Sequence, residues 1–182
     1  MSKTIIETER LILRTPHDGD AEQIHLHCNT PEVMEHLGGV QSAAENAAGI
    51  KRMAQSQLDH GHSFWVVEHK KTQDILGFCG IKKTNEPAAS FYGEFEAGWR
   101  LRADYWRKGI ATEAASASLD YAFEHLNAQE IYAMTITENI GSWGMMEKLT
   151  MQRRKDLDYI SDQYGPEIVY SISKEQWKAR PK

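Results

Sequence analysis

The sequence predicts an α/β (α+β) fold in which a mostly meandering, antiparallel sheet is interrupted by helices. Three observations carry that reading. Residues 91–102 alternate with a strand's period of two: Phe91, Gly93, Phe95, Ala97, Trp99 and Leu101 fall on one face, Tyr92, Glu94, Glu96, Gly98, Arg100 and Arg102 on the other. Soon after, Ile110, Ala114, Ala117 and Tyr121 recur at helical spacing. The 182 residues, 41% of them hydrophobic, also suffice to bury roughly 70% of the unfolded surface without disulfides or a metal.

Each element follows from its local pattern. Residues 10–14 (RLILR) form a short apolar strand that ends near Pro16, and Ala21, Ile24 and Cys28 mark a helix over 20–28. A second helix spans 43–58, with Ala47, Ile50, Ala54 and Leu58 on one face. Residues 63–68 and 75–81 read as antiparallel strands joined through the polar segment 70–74. The alternating segment follows as one long strand with a polar face, and then the helix from Ile110 to about Leu126. Residues 131–136 are β-rich, Asn139 precedes a short helix carrying Ser142, Met145, Met146 and Leu149, and residues 167–173 form a last strand before a polar tail. With no repeat, low-complexity tract or linker to mark a boundary, residues 1–182 are expected to form one domain.

Charge narrows the function classes. There are 21 basic and 26 acidic residues, a net charge of −5, against the basic stripe of a nucleic-acid binder. No apolar run approaches the roughly 18 residues of a membrane span, and the start lacks the apolar stretch of a secretory signal. A cytoplasmic protein is expected, with neither nucleic acid nor membrane as partner. Cys28 and Cys79 lie far apart, form no C-x-x-C and read as small core residues. The eight histidines include the pairs His25/His27 and His60/His62, but no metal-binding motif accompanies them. On a helix His25 and His27 point about 200° apart, so no metal is expected.

The chemistry concentrates where the long strand passes through Trp106-Arg107-Lys108-Gly109-Ile110-Ala111 into a helix. A first helical turn offers unpaired N–H groups and the positive end of the dipole. Gly109 lets the backbone approach an anion, small Ala111 keeps the approach open, and Arg107 and Lys108 add positive charge to an acidic chain. A phosphate-binding turn is one reading; simple strand-to-helix turn chemistry at Gly109 is the other. The stretch is neither a Walker A sequence nor a dinucleotide fingerprint.

Taken together, several segments carry a family resemblance: Glu7 to Arg14, Pro31-Glu32-Val33-Met34 with Leu37-Gly38-Gly39, Leu76 to Ile81, Tyr105 to Ala115, Glu138-Asn139 with Ser142, and Glu147-Lys148-Leu149. In this order the chain resembles the GNAT superfamily of N-acetyltransferases, and within it the branch named for ribosomal-protein N-terminal acetyltransferases. The resemblance implies a GNAT fold with splayed central strands, acetyl-CoA as cosubstrate and an amine as acceptor. The family's pyrophosphate pattern falls on Trp106, Gly109 and Ala111, so residues Arg107, Lys108, Gly109, Ile110, Ala111 and Thr112 are expected to hold the pyrophosphate; Trp106 replaces the usual Gln or Arg. The backbone of Trp99, Arg100 and Leu101 is implied to run along the pantetheine arm, with the Leu101 N–H toward the acetyl carbonyl. Asn139 and Ser142 match the family's Asn-x-x-Ser, the amide on the cofactor and the hydroxyl near its sulfur, although Asn139 is equally a good N-cap. Met146 stands where many members carry a thiolate-protonating Tyr, which leaves Ser142 or water for that step. Thr150-Met151 replaces the usual Gly-Phe, a departure at the local turn.

Acetyl transfer needs a neutral amine: about a tenth of a protein α-amine is neutral at pH 7, against under about a thousandth of a lysine. Glu96, on the polar face of the long strand, matches the Glu that precedes the Gly-aromatic pair in the resembled branch, which makes it the candidate base, directly or through a water, with Glu94 a weaker one; alternating Glu and Arg also suits a solvated face. A protein N-terminus is the first expected acceptor, with a polyamine, aminoglycoside or other small amine behind it. A non-catalytic acyl-CoA sensor is the reading of another class, which Met146 and Thr150-Met151 permit. Oligomeric state, a homodimer included, stays open.

Overall fold

The computed structural model describes residues 2–180. In chain order the elements are β1 (Thr4–Glu7), β2 (Leu11–Arg14), α1 (Asp20–Cys28), α2 (Pro31–Met34), α3 (Ala43–His60), β3 (Phe64–His69), β4 (Ile75–Lys83), β5 (Phe95–Leu101) and α4 (Ile110–His125). They continue with β6 (Glu130–Thr135), α5 (Ile140–Lys148), β7 (Gln152–Arg153), β8 (Tyr159–Ser161), β9 (Gly165–Ser173) and α6 (Lys174–Ala179). Helix starts obey local chemistry. Ser42 and Glu45 form a reciprocal capping box on α3, and the Thr30 side chain caps α2 with Pro31 in its first turn.

The strands lie in the order β1-β2-β3-β4-β5-β6-β9-β7, with β8 paired to β9, and among the described residues every pairing is antiparallel except β5 with β6. Residues such as Leu11, Leu13, Trp65, Leu76, Ile81 and Ile131 form the main core together with Leu119 of α4 and Leu149 at the end of α5. On the other face Ile24, Cys28 and Ile50 of α1 and α3 bury against Val66. The mixed, mostly antiparallel sheet flanked by helices is therefore present. Arg14, the second arginine of RLILR, is buried and ties three elements together: it binds Asp20 of α1 at 2.7 and 2.9 Å and Glu68 of β3 at 2.8 Å.

Several expectations are corrected. The strand expected over 91–102 starts only at Phe95, because Gly93 at φ 81° turns the chain and the Thr84 and Glu94 backbones bond across the turn at 2.8 Å. Phe91 keeps the apolar parity without being a strand residue: its buried ring stacks on Tyr132 at 4.5 Å. The polar tail starts as α6, capped by Ser173 and Gln176, with Trp177 buried and its indole N–H donating to Asp120 at 2.7 Å. Strands β1, β7 and β8 are too short and polar to show a period. Both cysteines are free and buried, and burial pushes the Cys28 thiol up to about 11 and the Cys79 thiol up to about 12, so they serve as core residues.

The Thr150-Met151 departure leaves the turn intact. Thr150 takes φ 59°, the Thr150 and Met151 N–H groups close onto the Glu147 and Met146 carbonyls at 2.9 and 3.0 Å, and Met151 is buried. A left-handed backbone costs an L-residue roughly 1 to 2 kcal/mol, of which the extra chain entropy of glycine offsets part. Thr150→Gly is therefore expected to raise the melting temperature by roughly 1 to 4 °C, read by circular dichroism; an unchanged or lower value would contradict the strain.

Candidate active site

The site begins where two neighbours stop pairing. β5 and β6 share only the registers Phe95↔Ile131 and Glu96↔Tyr132, yet β5 runs on to Leu101, bonded on its other side to β4 down to Gly77↔Leu101. At the two ends of the β4–β5 ladder the Arg102 N–H reaches the Leu76 carbonyl at 2.9 Å and the Thr84 N–H the Glu94 carbonyl at 2.8 Å, so even-numbered residues face β4. By alternation the N–H groups of Trp99 and Leu101 face the gap, without a β6 partner. The Leu101 carbonyl is already taken, by the Trp106 indole N–H at 2.8 Å. Trp106, a departure from the polar residue of the family pattern, thus pins the following turn to the end of β5.

That turn leads into α4. Arg107 at φ 57° and Gly109 at φ 77° wind it tightly, and the first bond into the helix is from the Glu113 N–H to the Gly109 carbonyl at 3.0 Å. Among the described residues the N–H groups of Ile110, Ala111 and Thr112 have no acceptor. They are the orphan donors of a helix start, beside Arg107 and Lys108, and they fit an anionic diphosphate.

The sequence alone did not reveal what braces the turn. Arg10, at the β1–β2 bend, donates to the Lys108 carbonyl at 2.9 Å and to Glu113 at 2.6 Å, while Glu113 also accepts from the Arg10 N–H at 2.9 Å and from Thr8 at 2.6 Å. Burial disfavours the Glu113 charge, but the Thr8 and Arg10 hydrogen bonds outweigh it and hold its pKa below the ordinary value. A Cβ on Gly109 would lie 3.3 Å from the Arg10 guanidinium, so the glycine also admits the brace. The two halves are about a hundred residues apart, and no spacing rule links them.

At the far side of the gap, Asn139 starts α5 and its side-chain oxygen accepts from the Ser142 N–H at 3.2 Å. The capping role is real; the Asn139 amide nitrogen and the Ser142 hydroxyl have no hydrogen-bond partner among the described residues. Met146 is buried in the main core and offers no acid.

The polar face of β5 is not solvated. The Phe64 ring lies across Gly98, where a Cβ would come within 2.5 Å of it, and stacks on Phe78 at 5.9 Å. On one side of that stack Glu96, 8% exposed, pairs with Lys82 at 2.9 Å; on the other Arg100 sits over Phe78 at 4.6 Å and against Met34. Burial lowers the Arg100 pKa. Gln163 and Tyr164 of the β8–β9 bend pack beside Gly38, in the loop after α2. Glu94 lies in the turn before β5. His62 is buried edge-on against Phe95 at 5.3 Å, and burial lowers its pKa. Among the described residues no group of three or more His, Cys, Asp or Glu stands close enough to hold a metal ion, and no helix is long and apolar enough to cross a membrane.

The chain is similar to known proteins. Residues 10–152 match the family described as an acetyltransferase (GNAT) domain. The uncharacterized N-acetyltransferase YoaA of Bacillus subtilis (strain 168) is 29% identical over 175 residues, covering 93% of this chain and 97% of the relative. The crystal structure of a GNAT-family acetyltransferase from Bacillus anthracis superposes with a TM-score of 0.78 at 25% identity, over 93% of this chain and 98% of that one. Spermidine N-acetyltransferase from Vibrio cholerae, solved with CoA and spermine, shares the fold at a TM-score of 0.70 and 20% identity, over 94% and 99% of the two chains.

The brace yields a test. Arg10→Ala removes the hydrogen bonds to Lys108 and Glu113, and is expected to raise the Kd for acetyl-CoA by about tenfold, some 1.4 kcal/mol, in isothermal titration. Arg10→Lys should recover only part, since an ammonium does not reproduce the fork. Unaltered affinity in both would remove Arg10 from cofactor binding.

Proposed function

Because this chain belongs to the GNAT acetyltransferase family and is an acetyl-CoA-dependent acyltransferase, we propose that it moves the acetyl group directly to a primary amine, without a covalent enzyme intermediate. The observation that carries this reading is the pair of free donor sets on either side of Trp106, whose indole ties the turn to the end of β5: the Trp99 and Leu101 N–H groups at the parted strand, and those of Ile110 to Thr112 at the start of α4. When bound, acetyl-CoA supplies an activated acyl group as a thioester.

In this reading the chain provides geometry and electrostatics. The N–H groups of Ile110, Ala111 and Thr112, with Gly109 allowing close approach and Arg107 and Lys108 adding charge, hold the pyrophosphate. The backbone of Trp99, Arg100 and Leu101 pairs with the pantetheine amides as a missing strand would. The Leu101 N–H, with that of Trp99 one pleat away, stabilises negative charge on the acyl oxygen; losing such a donor costs other enzymes about 10² to 10³ in turnover. The Asn139 amide contacts the cofactor, and Ser142 or water protonates the departing sulfur. A carboxylate on the covered face of β5 or beside it takes the ammonium proton, and Glu96 is the one that the sequence singles out.

For the acceptor, our first reading is a protein N-terminal α-amine, in keeping with the resemblance to the ribosomal-protein branch. A polyamine is the second, favoured by the fold shared with a spermidine acetyltransferase and by the carboxylates Glu86, Glu96 and Glu167 on the acceptor side. We place the protein in the cytoplasm.

The test is acceptor-dependent thiol release from acetyl-CoA over a panel of peptides with free N-termini, spermidine and other small amines, with products weighed by mass spectrometry. Release with at least one amine, and a product heavier by one acetyl group, is expected. Coenzyme binding without release for any amine would favour a sensor.

A further inference from the structure

Glu167 of β9 takes no proton-transfer step in the reading above. It is 7% exposed, accepts a hydrogen bond from the Tyr159 hydroxyl of β8, and has no Lys or Arg paired with it among the described residues. Register places it at the gap. β6 pairs with β9 as far as Thr135↔Ile168, so Glu167 stands opposite Ile136, the next residue after β6. Carrying the Phe95↔Ile131 and Glu96↔Tyr132 pairing forward makes Ile136 level with Arg100, between the free N–H groups of Trp99 and Leu101. Glu96 lies four residues lower on β5, roughly 13 Å at about 3.3 Å per residue, where the strands are still joined.

Both carboxylates belong to one face. Glu167 shares its parity with Val169, which packs with Phe91, Tyr132 and Met134, and Tyr132 is the register neighbour of Glu96. Unlike Glu96, which is neutralised by Lys82, Glu167 lines an open cavity of about 540 Å³ with Tyr159, Pro166 and Thr137. Resting on the acetyl-transfer reading above, we infer that Glu167, positioned by Tyr159, is the carboxylate that takes the proton from the acceptor ammonium. The nitrogen lone pair so freed forms the N–C bond; as the C–S bond breaks, sulfur leaves with the electron pair of that bond and receives the second proton that the nitrogen sheds, relayed through the Ser142 hydroxyl or a water, while Glu167 returns the first proton to solvent.

The surroundings suit a base. Burial raises the Glu167 pKa, the Tyr159 hydrogen bond offsets part of the rise, and the Glu86 and Glu96 charges add to it. Burial and the Glu167 charge push the Tyr164 hydroxyl of the β8–β9 bend up. From the β7 side the cavity presents Arg153, which is paired with Asp158, and Lys155. A base held above the ordinary carboxylate range removes a proton more effectively near neutrality.

Two readouts on the full chain test this. In a ¹³C-carboxyl NMR titration without acceptor, the resonance that vanishes in Glu167→Gln should titrate above the ordinary glutamate value and move higher in Tyr159→Phe, which removes the lowering hydrogen bond. If that resonance titrates at or below the ordinary glutamate value, or does not move in Tyr159→Phe, the inference is overturned. In turnover, Glu167→Gln should lower kcat/KM for spermidine by about 10² to 10⁴, and by at least about tenfold less for an alanine tripeptide, whose α-amine is already partly neutral. Glu96→Gln should cost less than Glu167→Gln on both. Equal losses on the two acceptors, or a greater loss in Glu96→Gln, would overturn it. Should the wild type acetylate no amine at all, the acetyl-transfer reading fails, and the titration decides the state of Glu167 by itself.

Discussion

Everything in this protein turns on an interruption: β5 and β6 pair for two residues and then part, leaving strand donors that a continuous sheet would have satisfied. Unpaired backbone groups inside a fold are costly unless a partner arrives, so the gap suits a partner that can complete a strand. Its borders are held from both sides. Trp106 pins the end of β5, and on α4 the Arg10–Glu113 brace keeps the turn wound beneath the helix start.

The covered face of β5 shows how packing turns an ordinary alternation into a pocket wall. Gly98 is there because the Phe64 ring occupies the space of its side chain, and the aromatic stack separates the Lys82–Glu96 pair from Arg100. Charge is thereby divided: Glu96 is neutralised near the joined part of the sheet, and Glu167 keeps its charge problem at the open part. Such a division leaves one carboxylate to structure and one free for chemistry.

Much of this was legible in the amino-acid order. The strand over 75–81, the helices beginning at Asp20, Ala43 and Ile110, and the turn at Gly109 all follow from short-range periodicity and capping. What escaped has physical causes. Phe91 keeps the strand's parity while anchoring a turn, and nothing local distinguishes an apolar anchor from a strand residue. The sequence left the face carrying Glu96 open between a catalytic and a solvated role because its cover, Phe64, Phe78 and Met34, comes from distant elements. Arg10 and Glu113, like Tyr159 and Glu167, meet only through the fold, and β8 and β9 carry no motif that marks them.

The central claim is that the parted strand and the first turn of α4 receive one extended ligand. The most direct measurement is the ¹⁵N–¹H shift of every backbone amide as CoA is titrated into the labelled protein. The account predicts that the largest changes fall on Trp99 and Leu101 together with Ile110, Ala111 and Thr112. Saturable binding that leaves those five amides unmoved and shifts another surface instead would contradict it.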